Sequence, residues 1–184
     1  MPDNDRMTLL IVDDEEDVLL SLRSMFRREF HVVTVPRARE AFDLIESHGV
    51  QIVISDQRMP DMNGVEFLEQ VSERFPDVVR LMITGYADIN SVIAAVNHGH
   101  VFRYIAKPWD PAELQAAVRQ AAEQYRVLAE RRRLIKELDE ANQLKTAFIT
   151  IASHELNTPL TIVLGMLQLA TIRSKDDVVK NCLD

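Results

Sequence analysis

Short apolar runs alternate with amphipathic stretches along the first two thirds of the chain. The runs are brief, rich in β-branched residues and closed by turn residues, which is typical of buried strands. They are Leu9–Val12, Phe30–Val35, Ile52–Ile54, Val78–Ile83 and Val101–Ile105. The segments between them have helical periodicity, with predicted helices from Glu16 or Asp17, over Ala38–Ser47, after the third strand, over Ile89–Asn97 and from Pro111. This alternation predicts an α/β fold with a five-stranded, doubly wound parallel sheet.

Polar residues follow four of these strands. Asp13 and Asp14 come after the first strand, Asp56 after the third, Thr84 after the fourth and Lys107 after the fifth. In an open parallel sheet, ligands bind at the carboxyl ends of the strands. A run of acids at such an end is costly unless a cation or a helix N-terminus neutralises it. An oxygen-rich site of this kind suits Mg²⁺ (or Mn²⁺).

The loop after the third strand has the pattern D-x-x-M-P-x-x-x-G from Asp56 to Gly64. Together with the acidic pair, Thr84 and Lys107, it resembles the response-regulator receiver domain, which has a flavodoxin-like fold. The resemblance implies that Asp56 becomes phosphorylated and that Thr84 is the hydroxyl switch. Tyr104 matches the family's aromatic switch position, which turns from exposed to buried.

The same resemblance implies a role for each remaining residue of the site. Mg²⁺ would bridge Asp14, Asp56 and phosphoryl oxygens, because a carboxylate attacks an anionic phosphoryl group only when charge is neutralised. The backbone carbonyl of Arg58 would be a third protein ligand, and Asp13 would act through coordinated water. Lys107 would donate to another phosphoryl oxygen. The Lys107–Pro108 peptide bond is expected to be cis, as it often is in this family.

A long helix is predicted from Pro111, because no Gly or Pro follows until Pro159. About 60 residues could be helical, on the order of 90 Å. Apolar residues recur at spacings of three and four after residue 133, which indicates a coiled-coil seam and a parallel dimer. The seam is Leu134, Leu138, Ala141, Leu144, Phe148 and Ile151. Glu130–Arg133 is a candidate signalling joint, and its arginines are expected to form a solvated helix face.

The segment Ser153–Thr161, SHELNTPLT, resembles the phosphoacceptor helix of histidine kinases, whose usual form is S-H-E-L-R-T-P-L; Asn157 replaces the usual Arg. The resemblance implies that His154 takes a phosphoryl group from ATP and that Glu155 accepts the proton from its ring. Thr158 would orient water for hydrolysis of the partner aspartyl phosphate. Pro159 should kink the helix.

These features predict three parts: a receiver domain at 1–126, a coiled-coil linker at 127–147 and a dimerisation and phosphoacceptor segment at 148–184. Ser174–Asp177 is predicted to be a turn and Val178–Leu183 the start of a returning helix, giving a partial helical hairpin. The segment is therefore incomplete, and nothing resembles an ATP-binding domain. We interpret the chain as part of a longer hybrid kinase that does not autophosphorylate with ATP by itself.

The charge and composition of the chain argue against some classes of partner and some locations. Residues 1–112 contain 11 Lys or Arg and 19 Asp or Glu, and the whole chain has a formal charge of −8. An acidic α/β half argues against binding nucleic acid.

The N-terminus has no apolar signal core, and the longest apolar stretch, Leu160–Ala170, is too short to span a bilayer. A cytoplasmic protein with no membrane segment is expected. The single cysteine, Cys182, excludes an internal disulfide.

Three functions compete. The first is a phosphorelay protein whose receiver regulates a dimeric histidine-phosphoacceptor module, with a partner histidine kinase or phosphotransfer protein. The second is a kinase-dead response regulator whose helical tail is a phosphorylation-gated dimerisation or partner-binding element. The third, a metal-dependent phosphohydrolase, usually needs a second acid two residues after the nucleophile, where this chain has Arg58.

Overall fold

The computed structural model describes residues 6–60, 62–85 and 101–180, with side chains except at 154–163 and 167–180. The strands are β1 (Thr8–Val12), β2 (His31–Val35), β3 (Ile52–Asp56), β4 (Val79–Gly85) and β5 (Arg103–Lys107). The helices are α1 (Glu16–Phe26), α2 (Ala38–His48), α3 (Gly64–Arg74) and α4 (Pro111–Lys180). The alternation of strands and helices is confirmed. The predicted helix Ile89–Asn97 lies outside the described residues.

All five strands form one sheet in the order β2-β1-β3-β4-β5, and every neighbouring pair is parallel. The predicted doubly wound parallel sheet is therefore confirmed. The fifth strand begins two residues later than Val101, because Arg103 pairs with Leu81 and Lys107 with Gly85. Val101 is buried in the core without belonging to the strand. The apolar side chain of Val101 therefore reflects burial in the core and does not indicate that the residue pairs in the sheet.

The two faces of the sheet carry separate apolar clusters. Side chains alternate between the faces along a strand, so β1 contributes Leu9 and Ile11 to one cluster and Leu10 and Val12 to the other. The first cluster includes residues of α1 and the start of α4, namely Leu19, Leu22, Phe26, Leu114, Ala117 and Val118. The second includes residues of α2 and α3, namely Ala41, Phe42, Ile45, Phe67, Leu68 and Val71. Helices on both faces leave the strand ends open for a site.

Helix α4 is a single helix of 70 residues, and this corrects the expected hairpin. The predicted turn at Ser174–Asp177 is wrong, because the helix continues through it to Lys180. No Gly or Pro stands there, so every residue can adopt helical dihedral angles and donate its backbone N–H. Val178–Lys180 extends the same helix, and 181–184 lie outside the described residues. Pro159 lies within the helix without ending it.

The chain divides into two compact units, Met1–Arg131 and Arg132–Asp184. The division falls inside the predicted joint Glu130–Arg133, where the backbone remains helical. Of the three arginines expected to form a solvated face, Arg131 and Arg133 are exposed and Arg132 is half-buried. The guanidinium of Arg133 is 2.8 Å from the carboxylate of Glu137 one turn later. The domain boundaries at 126 and 147 remain a prediction.

The apolar seam of the second unit is exposed in the single chain. Leu138 is 62% exposed, Leu144 73% and Phe148 72%. Isolated exposed apolar residues are ordinary, but a continuous exposed row at helical spacing marks an interaction surface.

Candidate phosphoacceptor site

The carboxyl ends of four adjacent strands bring the predicted residues together. Asp13 follows β1, Asp56 ends β3, Thr84 is in β4 and Lys107 ends β5. The parallel register places Asp56 beside Ile83 and Thr84 beside Ala106. Residues far apart in the sequence therefore share one edge of the sheet, as the pattern of strand ends predicts.

The ammonium group of Lys107 contacts three acidic residues. Its ammonium nitrogen Nζ is 2.6 Å from Oδ1 of Asp56 and 3.4 Å from Oδ2 of Asp13. It is also 3.4 Å from Oε1 of Glu15. Burial by itself would lower the pKa of Lys107, but the hydrogen bond to Asp56 and the charges of Asp13 and Asp56 outweigh it. The pKa of Lys107 therefore lies above its ordinary value, and the group stays positive.

Asp13 is the most buried acid of the site, with 1% of the residue exposed. Burial raises the pKa of its carboxyl group, although the hydrogen bond from the Glu15 amide and the charge of Lys107 act against this shift. That amide donates to Oδ1 at 2.9 Å. Both oxygens of Asp13 are thus engaged within the protein, one by a backbone amide and the other by Lys107.

Asp56 is held from two sides. It is 5% exposed, Lys107 contacts Oδ1, and the backbone N–H of Arg58 donates to Oδ2. These contacts fix the carboxylate against rotation while its outer side faces an open cleft of about 480 Å³. The cleft is lined by Asp14, Glu15, Asp56, Gln57, Arg58, Gly85 and Lys107.

The donors around this cleft fit Mg²⁺. Asp14 is exposed at its rim and Asp56 lies at its base, and carboxylate and carbonyl oxygens are the ligands that Mg²⁺ prefers. Within 6–60, 62–85 and 101–180, no three His, Cys, Asp or Glu side chains are grouped closely enough to hold a metal by themselves. Because Mg²⁺ keeps several waters and takes one or two carboxylates, such a group is not required.

Thr84 and Tyr104 occupy different environments. Thr84 is fully buried, and its hydroxyl donates to the backbone oxygen of Gly85 at 3.2 Å. Tyr104 is 39% exposed on β5. The Lys107–Pro108 peptide bond is cis, which confirms the expectation from the resemblance.

Gly64 allows α3 to begin directly against the phosphoacceptor strand. A Cβ at this position would collide with the backbone oxygen of Asp56 and lie 2.9 Å from Cα of Gln57. The amide of Gly64 donates to the backbone oxygen of Gln57 at 2.9 Å. Asn63 caps the helix by accepting from the amide of Glu66 at 2.9 Å. Gly64 has no predicted role in the site, although its place at the end of the loop motif is a signal that the sequence offers.

Sequence reasoning also missed Glu15 and Gln57. Glu15 is one of the four consecutive acids Asp13–Glu16, and in the structure it lines the cleft and contacts Lys107. Gln57 lines the same cleft, and its Oε1 is buried with no hydrogen-bond partner in the described part of the chain. Nothing in the pattern of hydrophobic residues distinguishes either residue from an ordinary loop residue.

The second predicted site, His154 with Glu155 and Thr158, lies on α4 within the second unit. The structure describes the helical backbone of these residues, as the motif predicts, and their side chains lie outside the described part. Their roles remain predictions.

Two family models match the chain. The response regulator receiver domain matches residues 9–119, and the His Kinase A (phospho-acceptor) domain matches residues 144–184. The chain belongs to the response regulator receiver family, with a histidine-kinase phosphoacceptor domain after the receiver. These are domains of two-component phosphorelay signalling, and the second implies dimerisation and phosphotransfer partners in general.

Similar curated proteins match two thirds or more of this chain. The hydrogenase transcriptional regulatory protein HoxA of Cupriavidus necator is 44% identical over 71% of this chain and 27% of its own length. HoxA of Bradyrhizobium diazoefficiens is 41% identical over 67% of this chain and 25% of its own length. This chain thus spans only a small part of both. The transcriptional regulatory protein FixJ of Rhizobium meliloti is 31% identical over 86% of this chain and 75% of its own length.

Solved structures show the same fold. A chain described as adenylate cyclase from Rhodopirellula baltica is 31% identical, with a TM-score of 0.69 over 71% of this chain and 98% of that one. The signal receiver domain of an HD domain-containing protein from Pseudomonas fluorescens is 32% identical, with a TM-score of 0.63 over 66% of this chain and 98% of that one. Among the described helices, none has the length and apolar character needed to cross a membrane.

Proposed function

We propose that Asp56 accepts a phosphoryl group in a Mg²⁺-dependent reaction. The observation that carries this proposal is the placement of Asp56, a buried carboxylate held by Lys107 at 2.6 Å and facing an open cleft. The match to the receiver family over 9–119 supports it. In the reaction, an oxygen of Asp56 forms a bond to phosphorus while the bond from phosphorus to the donor's leaving group breaks.

Each residue around Asp56 would have a separate role in this step. Asp14, Asp56 and the backbone carbonyl of Arg58 would hold Mg²⁺, with Asp13 acting through coordinated water. The bound metal ion supplies charge neutralisation for the attack on an anionic phosphoryl group. Lys107 already contacts Asp56, so a small shift lets it donate to a phosphoryl oxygen. The amide of Arg58 keeps the carboxylate oriented.

Phosphorylation is then read by Thr84 and Tyr104. The Thr84 hydroxyl donates to its neighbour's backbone oxygen, a local bond that a phosphoryl oxygen can replace. Movement of Thr84 toward the phosphoryl group would open space into which the exposed Tyr104 turns. This is a local electrostatic event that biases a two-state element.

The output is regulation of the histidine-phosphoacceptor module by the receiver. Strand β5 carries Lys107 and leads into α4 at Pro111, and the same helix carries His154. His154 would accept a phosphoryl group from ATP, with Glu155 as the base and Thr158 orienting water for dephosphorylation. The nucleotide would be held by a domain outside these residues. The exposed seam around Leu144 would pair with a second copy in a parallel coiled coil.

Labelling of the full chain tests the receiver assignment. Acetyl phosphate and Mg²⁺ should add one phosphoryl group to the wild type, detected by intact mass, and none to Asp56→Asn. Asp17→Asn, an exposed acid in the first turn of α1, is the matched control and should be labelled normally. Equal labelling of Asp56→Asn and the wild type would refute the assignment.

A second experiment separates the two functions of the tail. A histidine-kinase ATP-binding domain supplied in trans should label the wild type and Asp56→Asn on His154, and His154→Gln should stay unlabelled. The alternative is a kinase-dead regulator whose tail only dimerises or binds a partner. The similarity of the receiver to proteins named as transcriptional regulators favours keeping this alternative. It predicts no labelling of His154 by any such domain.

A further inference from the structure

Glu15 is a carboxylate in the phosphorylation cleft that the proposed chemistry does not use. It precedes α1 at the N-cap position, but its side chain makes no capping hydrogen bond. Instead, Oε1 of Glu15 is 3.4 Å from Nζ of Lys107. Its side chain is 65% exposed, so it stands at the mouth of the cleft and not at its base. A residue at the mouth meets the part of the phosphodonor that leaves.

The charged residues that line the cleft show why the position of Glu15 matters for the reaction. Asp14, Glu15 and Asp56 line the cleft with carboxylates, and Arg58 and Lys107 line it with cations. Asp14 and Asp56 are the proposed metal ligands, and Lys107 serves the phosphoryl group. Glu15 is thus the carboxylate among these lining residues to which the proposed reaction gives no metal ion or phosphoryl group to bind, and Lys107 is the cation that it contacts.

We propose that Glu15 selects phosphodonors by the charge of their leaving group. This inference rests on the proposed phosphorylation of Asp56. When acetyl phosphate reacts, an oxygen of Asp56 bonds to phosphorus, the P–O bond breaks, and acetate departs with the electron pair and a full negative charge. When phosphoramidate or a protonated phosphohistidine reacts, the P–N bond breaks and a neutral amine or imidazole departs. A carboxylate at the mouth repels the first leaving group and leaves the second almost unaffected.

The size of the effect follows from the exposure of Glu15. Two unit charges several ångströms apart in a largely aqueous setting interact weakly, and salt reduces the interaction further. Removing the charge of Glu15 should therefore speed the reaction with acetyl phosphate by about fivefold at low ionic strength. The reaction with phosphoramidate should change by less than about twofold. The protein would thus favour nitrogen-linked donors, the class to which phosphohistidine belongs.

The test compares the full-length chain with Glu15→Gln and Glu16→Gln. Glu16 is the matched control, because it is an exposed glutamate one residue further along, in the first turn of α1, and it does not line the cleft. Rates of Asp56 labelling are measured by intact mass with acetyl phosphate and with phosphoramidate, at low and high salt. We expect the ratio of the two rates to shift toward acetyl phosphate in Glu15→Gln alone, and high salt to diminish the shift.

Equal acceleration of both donors by Glu15→Gln, or of neither, would overturn the inference and leave the phosphorylation of Asp56 intact. Failure of both donors to label the wild type would instead refute the proposed function.

Discussion

Nζ of Lys107 lies 2.6 Å from Oδ1 of Asp56, and the same ammonium group reaches Oδ2 of Asp13 at 3.4 Å. One ammonium group thus contacts two buried carboxylates, Asp13 after β1 and Asp56 at the end of β3. These contacts hold the two strand ends close to the end of β5. Both the chemistry and the stability of this edge of the sheet should therefore depend on Lys107.

Replacement of Lys107 by Met should affect labelling and stability together. Loss of one positioned donor should slow labelling of Asp56 by about a hundredfold. Two carboxylates would lose their cation, which should cost about 1–3 kcal/mol of unfolding free energy. Mg²⁺ should then raise the melting temperature of Lys107→Met more than that of the wild type. Lys136→Met is the control, because Lys136 is an exposed lysine on α4. An unchanged labelling rate in Lys107→Met would contradict the role of the ammonium group.

Replacement of Gly64 by Ala should move the start of α3 away from Asp56. The new methyl group would collide with the backbone oxygen of Asp56, so we expect a loss of about 1–3 kcal/mol in unfolding free energy and slower labelling. Chemical denaturation measures the first effect. Gly85→Ala is the control for stability, because no atom of the residues that the structure describes lies within 4 Å of the position of its Cβ. Equal stability of the two variants would show that the close approach at Gly64 carries no energetic weight.

The ion pair between Glu29 and Arg119 should add an acid-sensitive component to stability. The hydrogen bond from Arg119 lowers the pKa of Glu29 below its ordinary value of 4.5. A lowered carboxyl pKa in the folded state contributes stability that is present above 4.5 and is lost as the pH falls through the lower folded value. Thermal unfolding between neutral pH and pH 3 should therefore be less pH-dependent in Glu29→Gln than in the wild type.

Glu46→Gln serves as the comparison for this experiment, since Glu46 is an exposed glutamate on α2. It should keep the pH dependence of the wild type. The expected difference is small, because both Glu29 and Arg119 are largely exposed and solvent screens their attraction. A stronger pH dependence of thermal unfolding in Glu29→Gln than in the wild type would contradict the prediction.

The seam of α4 should control the oligomeric state. Leu138 and Leu144 are 62% and 73% exposed in the single chain, and a second copy would bury them. The double variant Leu138→Gln with Leu144→Gln should shift the protein to monomers in sedimentation equilibrium. Ile149→Gln is the matched control, because Ile149 is 52% exposed but lies off the seam. Dissociation of Ile149→Gln to the same extent would place the interface elsewhere.

Much of the receiver half follows from its pattern of residues. The apolar runs locate the strands, and the polar residues that end them converge because parallel strands finish at one edge. Asp56, Thr84 and Lys107 are identified in this way before any geometry is known. The start of β5 is misplaced because burial and strand pairing are separate properties, and Val101 has only the first.

Other features depend on distances that sequence does not encode. Glu15 contacts Lys107 only because the N-cap position of α1 faces the end of β5, and a run of four acids gives no hint of which one does so. Polar residues such as those of the predicted turn Ser174–Asp177 are equally compatible with an exposed helix. The C-terminal extent of α4 is therefore not determined by local composition.

The connection from β5 to α4 is very short. Only Pro108, Trp109 and Asp110 separate Lys107 from the first residue of the helix, and Oδ1 of Asp110 accepts the amides of Ala112 and Glu113 at 2.8 and 3.0 Å. A three-residue connection of this kind holds the first turn of α4 close to the end of β5. Under the proposed regulation, a displacement of Lys107 should therefore shift or rotate that first turn. The signal would then pass as a movement of the backbone, and its transmission would depend on the stiffness of these few residues.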